Sequence, residues 1–109
     1  MAGAKLVVLY PMPKDVEAFE KVYTQEHEPM VTPKTFAGLQ KFVASRVVGT
    51  PDGGPPRFQR IAELHFESIG ALQTAAASAS AQQAVAHALQ ISTGGTPVIL
   101  VTEEVTRTF

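Results

Sequence analysis

The feature that most constrains the fold is the alternation of apolar and polar side chains between Phe58 and Glu67. One face comprises Phe58, Ala62, Leu64 and Phe66 with Arg60 among them, and the other comprises Gln59, Glu63, His65 and Glu67 with Ile61 among them. A period of two residues is typical of a strand, because successive side chains point to opposite faces of a sheet. The chain must therefore build a sheet that has one apolar face and one unusually polar face.

Three further segments predict strands. Residues 5–10 are an apolar, β-branched run that ends at Pro11, residues 40–49 precede a turn-forming loop, and residues 97–105 are rich in β-forming side chains. The loop contains Asp52 followed by Gly53, which tolerate positive φ, so the strands on either side of it are predicted to form a hairpin.

Two segments predict helices. Asp15 is placed to cap the first, which carries apolar side chains at steps of three and four residues, and Pro29 is expected to disturb it near His27. Ser68 is placed to cap the second, which is expected to break near Ser78 and to end at Gly94 and Gly95.

The order of elements is β-α-β-β-α-β, the ferredoxin-like arrangement of an antiparallel sheet with both helices on one face. With 109 residues the chain has the length of one domain, predicted to span residues 1–109. The second face of the sheet then mixes Glu63 and His65 with apolar side chains and has no cover within the chain. A homodimer, in which a partner sheet encloses a small cavity, is the economical prediction.

Charge and composition exclude several classes of function. Nine Lys and Arg against ten Asp and Glu give a net charge of −1, so no basic field attracts a nucleic acid. RNA-binding domains of the same strand order need exposed aromatic residues on the third strand, where this chain has Glu63, His65 and Glu67. No apolar run approaches the ~18 residues of a membrane span, and the first residues lack the features of a signal peptide. We therefore expect a cytoplasmic protein.

His27 is the leading candidate for chemistry, because an imidazole exchanges protons near neutral pH. Tyr23 lies four residues earlier on the same helical face, and Phe19 extends this stripe by another turn. The hypothesis is an acid–base or oxyanion-binding pair of His27 and Tyr23 over an apolar wall. The alternative is that His27 caps the broken end of the helix and donates to a carbonyl that Pro29 leaves free.

A second group comprises Glu63, His65 and Arg46. Glu63 and His65 are two residues apart on a strand, so they point the same way and face either a ligand or the partner across a dimer interface. Tyr10 ends the first strand, where it either lines the mouth of the pocket or is an ordinary aromatic residue at its rim.

No metal or other cofactor is predicted. The chain has no cysteine, and its three histidines, His27, His65 and His87, lie on different elements without the local spacing of a metal site. His87 lacks the aromatic and basic neighbours that a haem ligand needs, so a position on the surface of its helix is the expectation.

Five segments together resemble the EthD family, which is named for a protein associated with bacterial ethyl tert-butyl ether degradation. They are residues 6–11, the motif Tyr23-x-x-x-His27-x-Pro29, and residues 49–56, 60–67 and 93–95. The resemblance implies a dimeric α+β barrel, in which two sheets pack face to face. Related barrels include lactone isomerases, polyketide cyclases, quinol-forming monooxygenases and haem-degrading enzymes.

The predicted function is the binding of a small hydrophobic or carbonyl-containing ligand in a pocket of this homodimeric barrel. His27 would act as the acid–base catalyst and Tyr23 as the orienting donor, in isomerase- or cyclase-like chemistry without a cofactor. Tyr10, Phe19, Glu63, His65 and Arg46 are the expected ligand contacts. The alternative is a non-catalytic accessory or binding protein of a degradation pathway.

Overall fold

A computed structural model describes residues 3–109, so the first two residues of the predicted domain lie outside the described residues. The elements are β1 (Gly3–Pro11), α1 (Val16–Val22), a π-helical turn (Tyr23–His27), a 3₁₀ turn (Glu28–Met30), β2 (Lys41–Arg46), β3 (Phe58–Phe66), α2 (Ile69–Ala76), α3 (Ala79–Ile91) and β4 (Val98–Glu104). The predicted β-α-β-β-α-β order is confirmed, with the second helical segment divided between α2 and α3.

The four strands form one antiparallel sheet in the order β2-β3-β1-β4. On β1, alternate residues are buried, and Val8 lies opposite Ala62 of β3 and Ile99 of β4. These side chains share a face, and on it Val8 and Ala62 form the hydrophobic core with side chains of the helical layer such as Phe19 and Leu72. Burial of apolar area on this face is the main force that holds the helices on the sheet.

The first helix begins as predicted, because the side chain of Asp15 accepts a hydrogen bond of 3.0 Å from the backbone of Ala18. The predicted disturbance near His27 is also confirmed. There the backbone N–H of Glu28 donates to the carbonyl of Tyr23, five residues earlier rather than four. Pro29 favours this change, since proline has no N–H and its ring crowds the carbonyl of the preceding helical turn.

The break between α2 and α3 is confirmed at Ser78, whose hydroxyl accepts from the backbone of Ala81 at 3.1 Å. The predicted end of the helix was too late, because α3 ends at Ile91, before the two glycines. Gly94 has another role: the chain passes the carbonyl of Met12 so closely that any side chain there would overlap it. This close approach fixes the segment that leads into β4 against the end of β1.

The predicted hairpin of β2 and β3 is confirmed, although β2 is shorter than the predicted 40–49. Pairing continues by single hydrogen bonds beyond both ends, from Gln40 to the carbonyl of His65 and from Val47 to that of Gln59, each at 2.9 Å. The turn-forming loop then separates the strands.

The face of the sheet away from the helices is called the open face below. By the strand register it carries Lys5, Val7, Leu9, Lys41, Val43, Ser45, Ile61, Glu63, His65, Val98, Leu100, Thr102 and Glu104. It therefore mixes charged and apolar side chains, as the sequence predicts. Among residues 3–109, none of the helices has the length and hydrophobicity needed to span a membrane.

Candidate functional site

A cavity of about 30 Å³ lies between the sheet and the helices. Its wall includes apolar side chains from all four strands, such as Leu6 and Leu64, and from α3, such as Ala84. Of the described residues that line it, only Tyr10 and His27 carry polar side chains. The volume corresponds to roughly one water molecule.

Tyr10 and His27 form a buried hydrogen-bonded pair on this wall. The Tyr10 Oη lies 3.1 Å from the His27 Nε2, and the two residues are 1% and 6% exposed. Burial raises the pKa of Tyr10 above its usual range. Burial, and then the neighbouring His87, lower the pKa of His27 to about 4. At neutral pH both groups are therefore uncharged, which is the state that a nonpolar wall favours.

His87 of α3 completes a chain of three polar side chains. Its Nδ1 lies 2.9 Å from the Nδ1 of His27, and the two rings are nearly parallel, with centroids 5.1 Å apart. His87 is half-buried, so it stands between His27 and the solvent. The expectation of a plain surface position for His87 was therefore wrong. Its spacing of three residues from Ala84 and four from Ile91, both buried, was the sequence signal that His87 borders the buried face of α3.

The alternative in which His27 caps the broken helix is wrong. Its two ring nitrogens are engaged by the side chains of Tyr10 and His87, and neither contacts a backbone carbonyl freed by Pro29. The role of the helix break is instead to carry the imidazole to the cavity wall, next to the end of β1.

Tyr23 does not form the predicted pair with His27. Their ring centroids are 5.8 Å apart, and the hydrogen-bonding tyrosine is Tyr10 instead. The Tyr23 hydroxyl is buried without a hydrogen-bond partner among residues 3–109. The ring of Phe19 stacks on that of Tyr23, with centroids 5.5 Å apart, and its centroid lies the same distance from that of Tyr10. Phe19 therefore packs against the tyrosines and is not one of the residues that line the cavity.

Arg60 explains the interruption of the apolar face of β3. Its guanidinium donates two hydrogen bonds, of 2.9 and 2.6 Å, to the carboxylate of Glu20 and lies 4.9 Å from the centre of the Tyr23 ring. The paired Arg60 holds the pKa of Glu20 below its usual range. This ion pair joins α1 to the sheet beside the aromatic cluster.

Glu63 and His65 lie on the open face, on the other side of the sheet from the cavity. Lys5 contacts Glu63 at 2.9 Å and Glu104 at 3.4 Å, and His65 lies 3.4 Å from Glu63. The hydrogen bond from Lys5 lowers the pKa of Glu63. Glu63 and Glu104 thus share the ammonium group of Lys5, while the His65 Nε2 is buried without a hydrogen-bond partner among residues 3–109.

Arg46 is not part of this cluster. It lies opposite Arg60 in the register, hence on the helix side of the sheet, and it is exposed. The predicted cavity between two partner sheets stays a prediction, and the cavity that the single chain forms lies on the helix side of the sheet. No group of three or more potential metal ligands occurs within the described 3–109 range.

The two buried tyrosines give opposite predictions for stability. Tyr10→Phe is expected to lower the free energy of unfolding by about 1–2 kcal/mol, because it leaves the His27 Nε2 buried without its hydrogen-bond partner. Tyr23→Phe removes a hydroxyl that has no partner among residues 3–109, so it is expected to be neutral or stabilising by up to about 1 kcal/mol. Urea unfolding of the two matched variants measures the difference, and a larger loss in Tyr23→Phe would contradict the assigned hydrogen bond.

The order of strands, the helices on one face and the small apolar cavity define a ferredoxin-like α+β protein. Residues 13–88 match the family model described as the EthD domain. The chain belongs to the EthD family. It is also 30% identical over 100 residues to an uncharacterized 11.0 kDa protein in the thcB–thcC intergenic region of Rhodococcus erythropolis, covering 92% of this chain and 94% of that protein.

Solved structures share this fold. An EthD family protein from Bacillus halodurans is 27% identical and superimposes with a TM-score of 0.85, over 96% of this chain and all of that one. An EthD-like protein from Ralstonia eutropha gives 0.69 at 21% identity, over 99% and 96% of the two chains. A protein of unknown function from Bacteroides fragilis, described as dimeric with a ferredoxin-like fold, gives 0.68 at 15% identity, over 94% and 96%.

Proposed function

We propose that this protein binds a small hydrophobic carbonyl compound in its cavity and acts on it by acid–base chemistry without a cofactor, in the manner of an isomerase or cyclase. The observation that carries the proposal is the Tyr10–His27 pair, the polar part of an otherwise apolar wall. A few convergent polar groups in an apolar pocket are typical of small-molecule sites.

The chemistry of the pair suits an enolisable ketone or lactone. Tyr10 is protonated at neutral pH and supplies an O–H donor for a carbonyl oxygen. His27 is neutral, so its Nε2 is able to accept a proton from the tyrosine or from a ligand group. Hydrogen bonds to a developing oxyanion are stronger in such a water-poor site than in water.

A ligand of this class is larger than about 30 Å³, so binding must widen the cavity. We expect the ligand to enter the cavity beside the edge strand β4, because Ile99 of this strand belongs to the cavity wall and is itself exposed. Displacement of one exposed side chain costs less than rearrangement of the buried strands.

A homodimer formed through the open face is part of the proposal. Val98 and Leu100 of β4 are exposed on this face, where the Lys5–Glu63–Glu104 contacts already pair the charges. Charges that are paired before association cost less to bury than unpaired ones. The description of the Bacteroides fragilis structure as dimeric supports a homodimer for this chain.

The proposal is tested by a thermal-shift screen of the purified protein against lactones, cyclic ketones, phenols, quinols, ethers and haem. A ligand that binds only the folded state raises the Tm by mass action. At a hundredfold excess over Kd it adds about 2.7 kcal/mol to the free energy of unfolding. We expect a carbonyl compound to raise the Tm of the parent and of His65→Ala, which alters the open face, but not that of His27→Ala.

The result that would refute the carbonyl site is a ligand that stabilises all three proteins equally, or a screen in which only non-carbonyl compounds bind. A second candidate, a binding protein without turnover, is favoured by the absence of any carboxylate from the cavity wall among the described residues. Deuterium uptake from D₂O at the α-carbon of the bound ketone or lactone, followed by NMR, distinguishes the two: uptake indicates turnover.

A further inference from the structure

We propose that His87 is the outer member of a proton relay that connects the cavity, through Tyr10 and His27, to the solvent. The inference rests on the proposed function, because a relay has a use only where protons enter or leave the cavity. It adds His87, a positioning and proton-transfer residue that the EthD motif around His27 does not contain.

The three groups form an unbroken line across the helical layer. The line runs from half-buried His87 to His27 at 6% exposure and to Tyr10 at 1%, a residue of the cavity wall. The steps are 2.9 Å between the two Nδ1 atoms and 3.1 Å between Nε2 and Oη. Each step is within hydrogen-bond distance, and the residues come from three separate elements.

The contact between the histidines couples their tautomers. Two neutral rings whose Nδ1 atoms are in hydrogen-bond contact share one hydrogen, so one ring donates and the other accepts. If His27 carries the hydrogen on Nδ1, its Nε2 accepts the hydroxyl of Tyr10. If His87 carries it, His27 is protonated on Nε2 and donates to the oxygen of Tyr10, whose own hydrogen is then free for a ligand.

One transfer converts the second arrangement into the first. Tyr10 gives its O–H proton to an enolate oxygen in the cavity and takes the Nε2 proton of His27. His27 in turn takes the Nδ1 proton of His87 at its own Nδ1, and His87 takes a proton from water at its Nε2, which leaves a hydroxide ion in the solvent. One proton has left the solvent and one has reached the ligand, while all three side chains end neutral.

If His87 has only a structural role, its removal changes the rate of proton exchange in the opposite direction from the removal of a relay residue. Loss of a packing residue loosens the site and speeds exchange of the protons behind it with water. Loss of a relay residue removes the route by which those protons exchange with water, and their exchange therefore becomes slower. The sign of the change separates the two roles.

The test uses the ligand-free protein labelled with ¹⁵N-histidine. The measured quantity is the exchange rate with water of the labile ring proton of His27, in the parent and in His87→Gln. Glutamine keeps an oxygen to accept from the His27 Nδ1–H but has no second ring nitrogen to pass the proton on. We expect exchange to slow by about a hundredfold, the low end of what a positioned acid–base group contributes.

His87→Leu keeps the bulk without any polar group and is expected to slow exchange as well, which maintains the test if the glutamine variant does not fold. Gln83→Leu, on the exposed side of α3, is the matched control and should exchange at the parental rate. Unchanged or faster exchange in the folded His87 variants would overturn the relay.

This outcome is independent of the ligand screen, since no ligand is present. If exchange does not slow in the His87 variants, while a ketone still raises the Tm of the parent but not that of His27→Ala, the proposed function stands and His87 is structural. If exchange slows but no carbonyl compound binds, the relay stands and the ligand class of the proposed function is wrong.

Discussion

Acidification from pH 7 to pH 4 is expected to lower the free energy of unfolding by about 3 kcal/mol through His27 alone. In the folded protein, burial and the neighbouring His87 hold the pKa of this imidazole at about 4, against 6.5 for an unperturbed histidine. Because His27 is almost fully buried, solvent screens little of this effect.

The sign follows from proton uptake. Above pH 6.5 His27 is neutral in both states and contributes nothing to the pH dependence. Between pH 6.5 and 4 the unfolded chain takes up a proton that the folded chain does not, so falling pH favours unfolding. Below about pH 4 both states are protonated, and the loss reaches its limit.

Urea unfolding at a series of pH values, in the parent and in His27→Gln, measures this contribution. The carboxylates with lowered pKa, Glu20 and Glu63, also lose stabilising contacts in acid, but they do so in both proteins and mainly below their usual pKa of 4.5. The parent should therefore show the steeper slope between pH 6.5 and 4.5. Parallel slopes would show that His27 is not held neutral by the fold.

Leu100→Asp is expected to convert the proposed homodimer into monomers. Leu100 lies on the open face, opposite Val7 of β1, and is 47% exposed in the single chain. In a face-to-face dimer its replacement would bury a carboxylate that has no partner, which raises the Kd by at least about a hundredfold. Sedimentation velocity over a range of concentrations measures the shift.

Leu89→Asp is the matched control for this experiment. Leu89 is also 47% exposed, but it lies on α3 in the helical layer, away from the open face. The same substitution there should leave the dimer intact. A dimer that dissociates equally in both variants, or not at all in Leu100→Asp, would place the interface elsewhere.

Local patterns predicted the elements of the fold well. Asp15 and Ser78 cap helices because a short polar side chain satisfies backbone N–H groups only a few residues away. Pro29 disturbs the first helix at the expected place because its effect is also confined to neighbouring residues. The ends of β2 and of α3 were less well predicted, since they depend on the strand and the chain segment that pack beside them.

The site was predicted in part. His27 and Tyr10 were both candidates, but the sequence pairs His27 with Tyr23, four residues away on a regular helix, whereas the structure pairs it with Tyr10, 17 residues away on a strand. The partner on its other nitrogen, His87, is 60 residues away. No spacing rule relates residues on three separate elements.

The sequence by itself determined the order of strands and helices, their caps and the alternation of β3, because each depends on contacts between near neighbours in the chain. Only the tertiary structure decided that the cavity lies on the helix side of the sheet and that Tyr10, His27 and His87 meet there. Strand register and the docking of α3 set those contacts, and both follow from how the whole apolar face packs rather than from any local pattern.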